Sequence, residues 1–472
     1  MTAPRTAVTT FLRAWIALLA MLVLCGVARA DLSDRIDALV RSEMTRQRIP
    51  GVAVAIVQHD KVFKAQGYGY ANVEHAVPVT AETMFQSGSI GKQFTATLVM
   101  MLVEDGRVRL DDSIRDYLAD APEAWQPITI RNLLTHTSGI PDYTEGAIDY
   151  RRDYTEDEMA RLAYPLPLEF VPGTRWSYSN TGYLLLGVVI HRASGTFYGD
   201  LLRQRVFRPL GMMTARVISE ADIVPHRAAG YELVDGELKN QDWVAPTINT
   251  TADGALYLSL QDYIAWDRGL RVSALLKAAS WAQVYEPVKL ASGNTYPYGF
   301  GWGVEEIGGK KVYRHGGAWQ GFETYIARYL GDELTIVVLT NLADAEPRKF
   351  VDQIAAQFNP AYAAPEEKPI RDSEPAVTAR LTTLLERVRD GSLGPDEFAY
   401  VYAGYFPDTM ARYRQLLEDR AAPEKVELYK RQQLGDDRIY DYVVTYPGGG
   451  SYDVELSLAP DDRLSGFSIS ER

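Results

Sequence analysis

Ser89 and Lys92 put a hydroxyl and an amine three residues apart, in the run Ser89-Ile90-Gly91-Lys92, and the Ser-x-x-Lys spacing occurs once in the chain. Residues at i and i+3 share one face of a helix, so the Lys92 amine reaches the Ser89 oxygen if the segment is helical. A serine activated by an adjacent amine does covalent acyl transfer without a histidine triad. Tyr178-Ser179-Asn180 supplies a phenol and an amide. The phenol is expected to have a depressed pKa beside Lys92 and to exchange protons with Ser89, while the Asn180 amide bonds both Lys92 and a substrate amide. His315-Gly316-Gly317-Ala318 forms a third element on an expected strand. Its glycines admit a substrate backbone, and the Ala318 N–H pairs with the Ser89 N–H as an expected oxyanion hole. Strand alternation sends His315 and Arg314 to opposite faces.

Each element also has a plainer reading. Ser89 reads equally well as a helix N-cap followed by a solvated Lys92. Tyr178 reads as a buried core tyrosine with a satisfied hydroxyl, and His315-Gly316-Gly317 as a surface histidine before a turn. Tyr70-Ala71-Asn72 repeats the Tyr-x-Asn spacing, but it ends an expected strand and belongs to hairpin chemistry. Ser87-Gly88-Ser89-Ile90-Gly91 misses the Gly-x-Ser-x-Gly pattern of lipase-type hydrolases, because residue 87 is Ser.

Several elements must position these groups. Gln93–Val103 is apolar on nearly all sides, as in a helix buried within a domain, and Gly106 is its natural stop. Ser89 then lies at a helix N-terminus, where free N–H groups favour negative charge. Gly51–Gln58 and Lys61–Gly69 read as a hairpin turning at His59-Asp60. Gly299–Glu305, Lys310–His315, Glu323–Tyr329 and Leu334–Thr340 read as later strands of the same antiparallel sheet. The mixed segment between carries helical stretches such as Leu184–Arg192. Composition shifts over 359–375 to a linker rich in Pro, Ala and charge. Beyond it, Leu381, Leu384, Leu385 and Val388 follow helical spacing up to Gly391. Two alternating strands follow, one with Tyr440, Tyr442, Val444 and Tyr446 on one of its faces, the other with Tyr452, Val454, Leu456 and Leu458 on one of its faces. Residues 376–472 are therefore expected to form a small α+β accessory domain.

Composition narrows the partners. A net charge of −13 over 472 residues leaves no electrostatic footprint for nucleic acid or anionic lipid. Residues 1–30 read as a secretory signal peptide: Arg5 and Arg13, the apolar run Ala14–Val27, and the small-x-small site Ala28-Arg29-Ala30. That run is too short for a comfortable membrane span, so the mature chain is expected to have none. The single cysteine, Cys25, lies in the leader behind Leu24, where lipoprotein signals want a small residue, so no lipid anchor is expected. Without it the mature chain has no disulfide, thiol nucleophile or thiolate metal site. The histidines are scattered and form no His-Glu-x-x-His pair; neither metal nor cofactor is expected.

Taken in order, these elements resemble the serine β-lactamase and penicillin-binding protein superfamily, in particular the branch of class C β-lactamases, D-alanyl-D-alanine carboxypeptidases and related esterases. The resemblance runs from about Ile49 to Asn341. It is carried by Phe85-Gln86-Ser87-Gly88-Ser89-Ile90-Gly91-Lys92, Leu133-Leu134-Thr135-His136-Thr137-Ser138-Gly139-Ile140-Pro141, and Phe170-Val171-Pro172-Gly173 through Tyr178-Ser179-Asn180-Thr181-Gly182-Tyr183. Pro209-Leu210-Gly211-Met212, Tyr298-Gly299-Phe300-Gly301-Trp302 and His315-Gly316-Gly317 complete it. It implies an α/β (α+β) transpeptidase-like fold over 31–358: an antiparallel sheet, flanking helices and an inserted helical region. It further implies Ser89 as the acylated nucleophile, Lys92 and Tyr178 sharing the base role, Tyr178 protonating the leaving group, and Asn180 orienting Lys92 and substrate. The Ser89 and Ala318 amides would bind the oxyanion; His136 sits in a loop with no chemistry assigned.

One motif departs from the family pattern. The β-lactamases of this branch carry Lys-Thr/Ser-Gly where this chain has His315-Gly316-Gly317, and a neutral imidazole is a weaker anchor for a substrate carboxylate than an ammonium. The expected activity is thus a periplasmic or secreted serine hydrolase acting on small esters or D-amino-acid peptides and amides. The alternatives are a β-lactamase and a penicillin-binding or penicillin-sensing protein with little turnover. The partner is a small ester, peptide or β-lactam; the sequence leaves the oligomeric state open.

Overall fold

The computed structural model describes residues 30–144, 148–364, 367–399 and 406–472. The expected leader lies outside these residues, Cys25 included, except for Ala30, which is already helical.

A seven-stranded antiparallel sheet organises the larger part of the chain. Its order is Gly303–Ile307, Lys310–Trp319, Phe322–Tyr329, Leu334–Thr340, Gly51–Gln58, Lys61–Asn72 and Val77–Pro78. Early and late segments therefore meet at its centre, where Val54 stands opposite Val338. The hairpin turns at His59-Asp60, both with positive φ (48° and 58°), as a tight two-residue connection between right-twisted strands requires.

Strand alternation divides the core. Val52, Val54 and Ile56 face helix 30–47 and helix Pro347–Phe358, contacting Ile36, Phe350 and Ile354 in one apolar cluster. Ala53, Ala55 and Val57 face the opposite side, where helix Gly91–Glu104 packs into the inserted region with Phe94, Leu98 and Val99 fully buried. That helix ends as its glycine demands: Gly106 takes φ +72 and donates its N–H to Val103 O. Helix Asn180–Ser194, longer than the expected Leu184–Arg192, packs against it and stops at Gly195, which is left-handed.

The expected strand Gly299–Glu305 is a correction. The strand begins only at Gly303, and residues 299–302 form a tight turn. Gly301 has φ +74, and a Cβ there would stand 2.9 Å from Gln93 N, so this turn presses against the backbone that follows Lys92.

Toward the C-terminus, Tyr362 of the turn Pro360–Tyr362 packs on Tyr329 of the main sheet (ring centroids 4.4 Å apart). Helices Pro375–Asp390 and Phe406–Leu417 then cover one face of a four-stranded antiparallel sheet, Lys425–Leu434, Asp437–Thr445, Ser451–Leu458 and Leu464–Glu471. Tyr440, Tyr442, Val444, Tyr452, Val454 and Leu456 fill a third apolar cluster with Leu381, Leu385 and Leu417. The tip of the first hairpin reaches the larger sheet's side of the molecule: Gly435 N–H bonds Thr295 O, and Asp437 pairs with Arg175 at 2.7 Å.

Candidate active site

Ser89 lies in a single 3-10 turn, Gly88–Ile90, that runs directly into the helix beginning at Gly91. Gly88 has φ +50, and a Cβ there would lie 2.4 Å from Ala318 N. A Cβ on Gly317 would lie 2.1 Å from Ser87 O and 2.8 Å from Ser89 N. The two glycines thus let the Ser89 turn and the His315 strand touch backbone to backbone, bringing Ser89, Gly316, Gly317 and Ala318 together. Among the described residues this strand has no strand partner on its outer side beyond Arg314, because the neighbouring strand pairs only as far as Gly303 opposite Arg314. Neither helix start uses a side-chain cap, so Ser89 is not an N-cap.

Lys92 is fully buried. Its Nζ donates to Asn180 Oδ1 at 2.6 Å, to the Asp253 carbonyl oxygen at 2.8 Å and to Ser89 Oγ at 3.0 Å. Burial pushes its pKa down to about 8, against the upward pull of Asp253 and Asp142. Asn180 Oδ1 and the Asp253 carbonyl have no proton to give, so they hold two Nζ protons. The third position faces Ser89: a proton in the ammonium, a lone pair in the amine. Deprotonated Lys92 is therefore aimed to accept the Ser89 proton.

Tyr178 is half-buried and its hydroxyl bonds Ser89. Its pKa is raised, first by burial and further by the Asp253 and Asp142 carboxylates, with the Ser89 bond opposing. The expected depression by Lys92 is thus corrected. The Lys92 nitrogen stands over the face of the Tyr178 ring, 4.8 Å from its centre. Tyr178 is a neutral phenol, suited to donate a proton.

His136 holds the segment that carries Tyr178. It has φ 57, is buried, and its ring lies 4.3 Å from the Tyr178 ring centre. Its Nδ1 accepts the Ser179 N–H at 3.1 Å, which leaves the proton on Nε2, 3.2 Å from the Tyr298 hydroxyl. Asp142 fixes the next residue: its Oδ2 accepts the Asn180 N–H at 2.7 Å and Asn180 Nδ2 at 3.0 Å. The latter bond orients the amide so that Oδ1 faces Lys92.

His315 shares the site, with Arg314 on the opposite face, paired to Glu305. Its Nδ1 lies 2.6 Å from Gly316 O, which can only accept, so Nδ1 carries the proton and Nε2 takes the Tyr298 hydroxyl proton at 2.8 Å. Burial pushes the His315 pKa down to about 4, and Lys92 adds to the effect. His315 is neutral with both ring nitrogens occupied. As for the repeated spacing, Tyr70 is exposed and Asn72 Oδ1 caps the His75 N–H in a turn.

The residues that sequence reasoning missed are Asp142, Asp253 and Tyr298 in their positioning roles, together with His136. Asp142 and Tyr298 stood at the edges of the motif blocks; Asp253-Gly254 carried only the signal of an acidic residue in a glycine turn. Among the described residues no group of three or more His, Cys, Asp or Glu side chains is arranged to hold a metal ion, and no helix is long and apolar enough to cross a membrane.

The sheet, the Ser89–Lys92 turn and the Tyr178 and His315 elements define a chain of the serine β-lactamase and penicillin-binding protein superfamily. The chain belongs to the Beta-lactamase family, whose profile matches residues 36–358. It is 32% identical over 364 residues to a D-aminopeptidase of Gluconobacter oxydans (strain 621H), covering 75% of this chain and 66% of that protein. It is 31% identical over 291 residues to penicillin-binding protein 4* of Bacillus subtilis (strain 168), covering 58% of this chain and 64% of the relative. The chain thus spans just under two thirds of the length of these relatives. Among solved structures, the D-amino acid amidase from Ochrobactrum anthropi SV3, complexed with L-phenylalanine amide, superposes with a TM-score of 0.62 at 26% identity, covering 71% of this chain and 100% of that one.

Proposed function

We propose that this chain is a periplasmic or secreted hydrolase that forms an acyl-enzyme at Ser89 and acts on amides, short peptides or small esters of D-amino acids. The observation that carries the reading is the Lys92 side chain: buried, with its pKa pushed down to about 8, and two of its three Nζ positions fixed so that the third addresses Ser89 Oγ. The names of the relatives, a D-aminopeptidase and a D-amino acid amidase, support the substrate class. The leader pattern of residues 1–30 supports the location.

The reaction runs as follows. Lys92 in its amine form takes the Ser89 Oγ proton as Oγ bonds the substrate carbonyl carbon. The carbonyl oxygen becomes an oxyanion held by the Ser89 and Ala318 N–H groups. The C–N or C–O bond then breaks, the Tyr178 hydroxyl protonates the leaving amine or alcohol, and the Lys92 ammonium returns a proton to Tyr178. Water attacks the ester on Ser89, gives up a proton to the same pair, and releases the acid with Ser89 restored. Asn180 and Asp142 hold Lys92 in register throughout.

Intact-mass spectrometry with a p-nitrophenyl ester, a D-Ala-D-Ala peptide, a D-amino-acid amide and a cephalosporin tests the reading. The amide and ester are expected to leave a transient acyl mass that disappears in Ser89→Ala. An adduct of the same mass in Ser89→Ala overturns the assignment of the nucleophile.

A further inference from the structure

Among the described residues, the cavity beside Ser89 is lined by one charged side chain, Asp253, and one of its two carboxylate oxygens lacks a partner. The cavity holds about 240 Å³; Tyr143, Tyr150, Ile248 and Trp319 form its walls, and among the described residues of its lining Asp253 is the single acidic one and there is no Lys, Arg or His. Asp253 is 8% exposed. Its Oδ2 accepts the Tyr143 hydroxyl at 2.9 Å and its backbone oxygen accepts Lys92, but Oδ1 has no hydrogen-bond partner among the described residues. A buried carboxylate oxygen left so costs on the order of 1–3 kcal/mol, and its unused capacity calls for a donor.

Its place is fixed against the nucleophile. A Cβ on Gly254 would lie 2.6 Å from Gly88 C and 3.1 Å from Ser89 N, so the Asp253-Gly254 turn is packed directly on the Ser89 turn. On the other side of the site, His315 is neutral and spends both ring nitrogens on Tyr298 and Gly316. Among the described residues the site offers no free cation to a substrate carboxylate and an unpaired carboxylate oxygen to a substrate cation.

We propose that Asp253 anchors the protonated α-amine of the acyl donor, so that the reacting carbonyl belongs to a residue with a free amino terminus. This rests on the acyl-transfer reading of Ser89 and narrows it to N-terminal residues and simple amino-acid amides. The α-ammonium donates to Oδ1, and the side chain lies among Tyr150, Ile248 and Trp319. An N-acylated donor brings a neutral, bulkier group and leaves the carboxylate unpaired. The ammonium also offsets the Asp253 charge that, with Asp142, holds the proton on Lys92, so an amine-bearing donor favours the Lys92 amine that attack needs.

The test compares D-alanine p-nitroanilide with N-acetyl-D-alanine p-nitroanilide, with p-nitrophenyl acetate as a donor lacking any amine. Wild type is expected to prefer the free amine by about 100-fold or more in kcat/KM, and Asp253→Asn to cut that ratio at least about 30-fold, the scale of a lost buried charge pair. An unchanged ratio in Asp253→Asn, or no free-amine preference in a wild type that turns over p-nitrophenyl acetate, overturns this inference alone. Failure of wild type on all three substrates overturns the reading of Ser89 as well. Should the variant not fold, competition in wild type decides: D-alaninamide is expected to inhibit p-nitrophenyl acetate turnover at least about tenfold more strongly than propanamide, and equal inhibition overturns the proposal.

Discussion

The Tyr298 hydroxyl donates to His315 Nε2 across 2.8 Å. That bond decides the state of the histidine. With Nε2 accepting and Nδ1 donating to Gly316 O, the ring is complete only when neutral, and burial pushes its pKa down to about 4. The folded value lies below the ordinary value of 6.5, so the unfolded chain binds the extra proton between those limits. The stability that neutral His315 contributes is fully present above about pH 6.5 and is lost as pH falls toward 4. His315→Gln keeps a neutral polar group and removes the titration. Wild type is expected to lose about 2–3 kcal/mol relative to this variant between pH 7 and 4.5. Urea denaturation of both proteins across that range measures it; parallel curves would show that His315 is not held neutral.

In the proposed reaction Lys92 is expected to set the pH dependence of acylation. Its pKa is about 8, so most of the enzyme carries the unreactive ammonium at neutral pH. Pre-steady-state acylation by p-nitrophenyl acetate is expected to rise roughly tenfold per pH unit from 6 to 7.5 and to level off above about 8. Lys92→Arg retains the charge and cannot shed it, and is expected to lower the rate about 100-fold or more. A flat profile from pH 6 to 9, or an Arg variant near the wild-type rate, would remove Lys92 from the base role.

Tyr178 separates the two half-roles of a shared acid and base. Tyr178→Phe keeps the ring that lies against His136 and beneath Lys92, so folding is expected to be intact. It removes the proton for the leaving group. A D-amino-acid amide, whose amine cannot leave unprotonated, is expected to lose about 100- to 10,000-fold in kcat. A p-nitrophenyl ester, whose leaving group departs as an anion, is expected to lose much less. Equal losses on both substrates would place Tyr178 in the base role.

The local parts of this machinery were legible in the sequence and the tertiary parts were not. Gly51–Gln58 and Leu334–Thr340 are strands over the expected residues, because β-branched runs bounded by turns depend little on their surroundings. Ser89, Lys92, Tyr178 and Asn180 could be singled out as candidates from two short motifs, and the fold brings the four side chains together. The direction of the Tyr178 pKa could not be read from those motifs, since it turns on burial and on carboxylates at 142 and 253 that only folding brings near. The strand expected from Gly299 failed for the same reason: Gly301 takes a left-handed turn to fit the backbone behind Lys92, a contact with no trace in local pattern. Asp253 was invisible because its significance lies in a missing partner.

The Arg175–Asp437 pair links the C-terminal hairpin to the segment that carries Tyr178. Both side chains are largely buried, at 16% and 22% exposure, and their separation is 2.7 Å. Arg175 is followed by Trp176, which stacks on Tyr296 with ring centres 4.0 Å apart, and Tyr296 neighbours Thr295, whose carbonyl accepts the Gly435 N–H. Asp436 adds bonds to Ser292 and Asn294. The hairpin tip thus grips the approach to Tyr178 from two sides, and loosening it is expected to act on proton delivery. Asp437→Ala should lower kcat for a D-amino-acid amide several-fold while sparing a p-nitrophenyl ester, which needs no proton from Tyr178. A double-mutant cycle with Arg175→Ala should give a coupling of about 1–3 kcal/mol in denaturation. Zero coupling, or an amide rate that does not move in Asp437→Ala, would reduce this contact to a surface feature and leave the Tyr178 loop supported by His136 and Asp142 alone.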